Sequence, residues 1–163
     1  MPIFATAGSK LYIGGALSQK SADFVEADFT SQVWVEIANL DALGTVGDTS
    51  QAITASIIGE GRDKTIKGTR NAGTMEVVAN IDYADAGQQA AIAAEKTPHD
   101  YAFRVVMNDA PPTGADPTPS ERLFIAKVMS AAEAFDQANS VMKLNISLAV
   151  NSNIVRIAAS AGA

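Results

Sequence analysis

Residues 141–150 read VMKLNISLAV, and every second side chain in them is apolar: Met142, Leu144, Ile146, Leu148 and Val150 fall on one side, Lys143, Asn145 and Ser147 on the other. Successive side chains leave opposite faces of a pleat, so the stretch is a strand with one dry and one wet face. The same period, less regular, recurs over residues 10–13, 33–38, 50–58, 63–67, 74–81, 101–107, 123–129 and 154–158. Gly59-Glu60-Gly61 can reverse the chain after Ile58, and Asn71-Ala72-Gly73 can do so before Thr74, because Asn and Gly tolerate the positive φ of tight turns. Short strands at this spacing predict a mainly β chain, an antiparallel sandwich or barrel.

One segment breaks the period. From residue 83 to 96, Ala84, Gly87, Gln88, Ala91, Ile92 and Glu95 follow a helical repeat with a small-residue face suited to close packing on a sheet. Asp82 is the expected N-cap, Lys96 suits the negative end of the helix dipole, and Pro98 stops continuation. Residues 17–32 and 108–120 read as long loops, the second (NDAPPTGADPTPS) holding four of the six prolines. Neither repeats nor a linker divide the chain, so residues 1–163 form one expected domain: an N-terminal arm over 1–9, the β body with its helix over 10–157, and a C-terminal tail over 158–163. The arm and the tail, rich in Ala, Gly and Ser, are expected to fray unless a neighbour holds them.

Composition narrows the function. The 163 residues are 47% hydrophobic, include no cysteine and carry a formal charge of -6. Disulfide and thiolate chemistry are therefore absent, and an acidic chain repels a polyanion on average. No stretch approaches the roughly 18 apolar residues of a membrane span, and no membrane partner is expected. The lone histidine, His99, has no motif supplying a nucleophile or an orienting partner, so an enzyme is not expected. Carboxylates are scattered without metal-ligand spacing, and the run from Gly59 to Thr65 lacks the four-residue gap and following helix of a phosphate loop. No metal or cofactor is expected.

Two features stand out as contact candidates. Arg62, Lys64, Lys67 and Arg70 gather four of the twelve basic residues into one short stretch, either a solvated strand edge or an electropositive contact for an acidic surface of the next copy, with nucleic-acid binding third because no aromatics are interleaved for stacking and the net charge opposes it. Trp34, in Val33-Trp34-Val35-Glu36-Ile37, is either packed in the body or an anchor between chains.

From residue 33 the order is VWVEIANLDALGTVGDTSQAITASI, then a Gly-rich basic segment, then KTIKGTRNAGTMEVVANI and the Ala-rich helix. This order resembles the lambda-type tail tube proteins of long, non-contractile-tailed phages. A Trp-containing strand, a Leu-Gly loop, a Thr/Ser-rich strand and a Lys-x-Ile-x-Gly-x-x-x-x-Gly turn mark that family, here matched by Lys64, Ile66, Gly68 and Gly73. Recognisable residues cover 34–82, and the element order extends over about 11–157. Lys67 departs from the pattern, standing where many relatives carry a smaller residue or Pro. The resemblance implies packed antiparallel sheets flanked by a helix, closing as sixfold rings that stack into a hollow virion tail tube. It implies assembly in the host cytoplasm with tape-measure, tail terminator and baseplate or tip proteins, and double-stranded DNA passing through without specific binding. In such a polymer the N-terminal arm, the loops at 41–49 and 108–120 and the C-terminal arm are expected to become ordered mainly through contacts between copies. If residues 50–58 and 74–81 share the channel sheet, Ser50, Thr54, Ser56, Glu76 and Asn80 face the lumen while Ile53, Ile57, Met75, Val77, Ala79 and Ile81 turn inward. The competing readings are a contractile-tail inner tube or other secretion-tube subunit, a capsid decoration or pilus-like protein, and a monomeric β-barrel enclosing a small apolar ligand.

Overall fold

A computed structural model describes residues 2–162; Met1 and Ala163, the outermost residues of the expected arm and tail, lie outside the described residues. The chain forms β1 (Lys10–Ala16), β2 (Val35–Ile37), β3 (Leu40–Ala42), β4 (Thr49–Ala55), β5 (Lys64–Asn71), β6 (Thr74–Asn80), α1 (Ala86–Glu95), β7 (Tyr101–Val106), β8 (Glu121–Ala134), β9 (Lys143–Val150) and β10 (Val155–Ile157). A short 3-10 helix, Glu26–Phe29, lies between β1 and β2. Mainly β structure with one helix is as the periodicity predicts.

Eight strands make one antiparallel sheet in the order β2-β1-β7-β8-β9-β6-β3, with β10 also paired to β8. Its two end strands are neighbours in sequence, because only Ala38 and Asn39 separate β2 from β3. The sheet therefore curls until its ends meet at a corner, and Asn39 makes that corner at φ 59, a conformation Asn tolerates better than most residues. Inside the curl lie Leu11, Phe103, Phe124, Leu144, Ile146 and Leu148 with their neighbours. Phe103 and Phe124 are direct cross-strand partners whose rings stack at 5.9 Å. Each such buried side chain contributes about 1.5–3 kcal/mol of apolar transfer, which is why the alternation of 141–150 holds its register. Leu144, Ile146, Leu148 and Val150 are all buried, as the alternation requires, but Met142, expected beside them, precedes the strand that begins at Lys143 and is 53% exposed.

A second apolar cluster sits on the opposite face of β7 and β8, where Ala102, Leu123 and Ile125 are covered by Phe24 and Phe29 of the 17–32 segment. Residues 123–126 are thus buried on both faces, and their continuous apolar run LFIA, without alternation, follows from that. The segment read as a loop is a lid on this second cluster.

The helix closes the seam of the curl. It begins at Ala86, three residues later than expected, with Asp85 and not Asp82 as N-cap. The Asp85 carboxylate accepts the Gln88 amide at 3.0 Å and the Ala38 amide at 3.1 Å, while Asp82 accepts the Ala84 amide at 3.0 Å in a turn that precedes the helix. Gly87 lies so close to β2 that a Cβ there would stand 2.0 Å from the Glu36 carbonyl oxygen. Gln88, buried, donates from Nε2 to the Ala38 and Asn80 carbonyls at 3.1 and 3.0 Å and accepts the Asp82 amide at 3.0 Å. Its side chain therefore ties the β2–β3 corner to the end of β6.

The expected loose segments find partners within their own chain. Thr118 bridges Ser160 antiparallel, the Asp116 amide donates to the Ala161 carbonyl at 3.3 Å, and the Ala159 amide donates to Ser120 Oγ at 3.0 Å. The N-terminal arm is held where Asn108 Nδ2 donates to the Ala7 carbonyl at 2.8 Å. Within 41–49, Gly44 lies against the backbone of Glu76. Each of these segments thus has hydrogen-bonded or packed neighbours within a single copy.

Candidate functional site

The wet face announced by Lys143, Asn145 and Ser147 extends across three strands. Register places β6, β9 and β8 side by side in rows: Thr74, Ala149 and Lys127; Glu76, Ser147 and Ser130; Val78, Asn145 and Ala132; Asn80, Lys143 and Ala134. Every one of these side chains is exposed or half-buried, none is aromatic, and most are small. The two lysines are held in ion pairs, Lys143 with Asp41 at 2.6 Å and Lys127 with the buried Asp100 at 3.0 Å. Glu76 accepts a hydrogen bond from Ser147 Oγ at 3.0 Å and joins no ion pair among the described residues. The face is therefore smooth and polar, and its one uncompensated charge is negative.

Glu76 and Asn80 lie on this face, as expected, and Met75, Val77 and Ala79 turn into the core. Ser50, Thr54 and Ser56 do not join them. β4 pairs only with β5, as a two-stranded hairpin outside the main sheet, so the shared channel sheet expected for 50–58 and 74–81 is not formed. The physical reason is a local pairing that sequence parity cannot foresee: the Gly59-to-Gly61 turn folds β4 onto β5, and Asn71-Ala72-Gly73, with Gly73 at φ 69, then hands the chain to the other sheet. Ile53 is accordingly 51% exposed and Ile57 43%, and neither turns inward. Ile81 is half-buried against the core.

The hairpin has two unlike faces. Ile53 stands opposite Ile66 on one, with Ala55 and Lys64. Across the register shift near Gly68, the other face collects Ser50, Ala52 and Thr54 with Thr65, Lys67 and Arg70. Ser56 lies beyond the strand and donates to Asp63 at 2.7 Å, closing the tip that carries Arg62. Lys64 pairs with Glu60 and Arg70 with Asp48, both on the surface, while no ion pair engages Arg62 or Lys67 among the described residues. The structure thus brings the four basic residues onto one projecting element.

Trp34 is placed within its own chain. It packs half-buried against the second cluster, and the Arg104 guanidinium lies 5.1 Å from its ring centroid and 4.3 Å from that of Tyr12. Within its own chain the packing reading describes it. Asn145, Ser147, Ser130 and Ala132 were not singled out as site residues. Alternation gave the direction of the first two, but only the pairing of β9 with β6 and β8 shows that they flank Glu76.

No family model matches the sequence, and no curated protein matches it. Solved structures do match in shape. A chain of the anti-feeding prophage baseplate superposes with a TM-score of 0.68 over 97% of this chain and 98% of that one, at 11% identity. The chain is tail-tube-like in fold. The SPP1 tail tube matches with a TM-score of 0.59 over 96% of this chain and 80% of that one, at 17% identity, and a chain of the native gene transfer agent virion with 0.59 over 77% and 89%, at 14% identity. At such identities the likeness is one of fold, which comprises the curled antiparallel sheet and the single helix described above.

Proposed function

We propose that this chain is a tail tube subunit that polymerises as stacked sixfold rings, with the face of β8, β9 and β6 lining the channel. The observation that carries this reading is the conjunction of a tail-tube-like fold over nearly the whole chain with a broad, small-residue, polar face on that fold. A channel for double-stranded DNA has to be wet without being adhesive. Hydrogen-bonding groups keep it hydrated, paired lysines present no free cation to a phosphate, and Glu76 repeated around a ring repels the duplex at contact range, inside the roughly 8–10 Å screening length of physiological salt. One heterologous contact closes the ring and another repeats without closing to stack rings, which gives length from a single kind of subunit. Tape-measure, terminator and baseplate or tip proteins are the partners such a tube takes, in a virion tail assembled in the host cytoplasm.

Electron microscopy of the purified protein over a concentration series tests assembly: hollow tubes are expected, and a monomer or a compact closed oligomer at every concentration removes the reading. Because the chain has no cysteine, Glu76→Cys and Asn145→Cys each supply a unique thiol. A bulky polymer maleimide should label both in dispersed subunits and neither in intact tubes. Equal labelling in both states would take the channel away from this face.

A second reading, the inner tube of a contractile machine, is favoured by the near-complete mutual coverage with the anti-feeding prophage chain and with a chain of an extracellular contractile injection system at its sheath and tube terminator, the latter covering 97% of this chain and 98% of that one. A surrounding sheath in the assembled particle would select it.

A further inference from the structure

One end of the curl holds a cavity of about 280 Å³, walled by the N-terminal arm, residues 43–46, the starts of β6 and β8 and the end of β7. Phe4, Val46, Met75, Val105 and Met107 make it largely apolar, and Arg122 and Asp109 bring charge to its wall. Arg122 stands directly opposite Arg156 across β8 and β10. The two lie two residues from Phe124 and Ile154, which pack in the main core, so both arginines leave their strands on that side. Like charges directly opposite each other work against strand pairing, and neither arginine joins an ion pair among the described residues. Backbone holds Arg122 in place, its Nη1 donating to the Glu121 and Ile157 carbonyls at 2.8 and 3.4 Å. Burial first, and Arg156 next, push its guanidinium below the ordinary arginine range, with Asp109 acting against them. Asp109 is the one carboxylate among the lining residues, and it already accepts the Ser120 amide at 2.7 Å. Two guanidiniums against one carboxylate leave a single positive charge in excess beside an apolar space.

We propose that this cavity binds a short-chain amphiphile with one negative charge, an alkyl carboxylate, its head between Arg122 and Arg156 and its chain against Met75, Val105 and Met107. A carboxylate accepts the forked N–H groups of a guanidinium, and an anion shared by both arginines removes the repulsion between them. A mostly apolar pocket with a few convergent polar groups is the form that small-ligand sites take. A dianion would exceed the charge that the arginines and Asp109 together leave to be answered. Every group the site uses belongs to one copy, so it does not rest on the assembly proposed above.

Titration of dispersed subunits with octanoate, followed by methionine-methyl NMR, tests the site. Met75 and Met107 line the cavity, whereas Met129 and Met142 are exposed elsewhere, on β8 and just before β9. Saturable shifts of the Met75 and Met107 methyls are expected, with Met129 and Met142 unmoved. Octanol lacks the charge and acetate lacks the chain, and each should bind at least about tenfold more weakly than octanoate. Arg156 is exposed, so Arg156→Gln leaves the fold intact; it should weaken octanoate by about tenfold and leave octanol unchanged. Arg122→Gln should weaken octanoate at least as much. Octanol binding as tightly as octanoate, or both variants binding octanoate like wild type, would overturn the charged head. Acetate binding as tightly as octanoate would overturn the apolar chain, and unmoved Met75 and Met107 methyls would overturn the site.

Discussion

Gln88 shows how much one side chain can hold. A buried amide is costly unless its groups are paired, and here Nε2 donates to a carbonyl of the β2–β3 corner and to one at the end of β6 while Oε1 accepts from the Asp82 amide. Replacing Gln88 by Ala leaves the Ala38 and Asn80 carbonyls without their donor in a site that excludes water. The expected loss is about 1–3 kcal/mol, measured by chemical denaturation. Gln88→Glu should do no better, because a carboxylate offers two acceptors to two carbonyl oxygens. If both variants unfold with the wild-type midpoint, the corner of the sheet is held by something else.

At the scale of elements, the pairing of the proline-rich loop with the C-terminal tail depends on Asp109. Its carboxyl is held below the usual carboxylate range chiefly by the side chain of Ser120 and also by the Ser120 backbone amide, which donates at 2.7 Å. A carboxyl depressed in the folded chain contributes stability above its unfolded pKa of about 3.9, and that contribution is lost as pH falls through the lower folded value. The loop and tail should therefore loosen below about pH 4 while the body stays closed. The NMR contacts between Thr118 and Ser160 should weaken at pH 3 relative to pH 5. Asp109→Asn should show the weakened contacts at both, and a variant with wild-type contacts at pH 5 would remove Asp109 from the device. Loop and tail each look featureless in sequence, since Pro, Gly and Ala show no period; together they make a bridge at Thr118 and Ser160, and neither half announces the other.

At the scale of the whole molecule, body and hairpin are separable. The curl is one core closed by a helix, and the hairpin adds nothing to it. Replacing residues 50–70 by a short Gly-Asn-Gly turn should leave the melting transition of the body unchanged and abolish polymer. A large loss of stability would show that the hairpin is part of the body's fold. Those two outcomes together would place folding to stability and assembly into length in different parts of one chain.

Periodicity by itself located most of the strands and, for those that join the main sheet, the dry face, because burial on a pleat enforces a two-residue repeat wherever one side meets water. It gave the helix and its close packing, since Gly87, Ala91 and Ala94 are small where the backbone approaches β2 or the core. It did not give the short β3, whose three residues carry no period, nor the full length of β8, whose Ser130-to-Ala134 end is rich in Ala and is a strand only because β9 lies beside it. The polar face was half legible: Glu76 and Asn80 were named, and the outward side of residues 143–147 was read, but not that they adjoin. Ser50 and Thr54 were misplaced, because parity says which residues share a side of one strand and nothing about which strand pairs with which. Pairing partners are chosen by loop closure and by the competition of many apolar faces for one core. That competition is settled over the whole chain at once, so only the tertiary structure shows the separate hairpin.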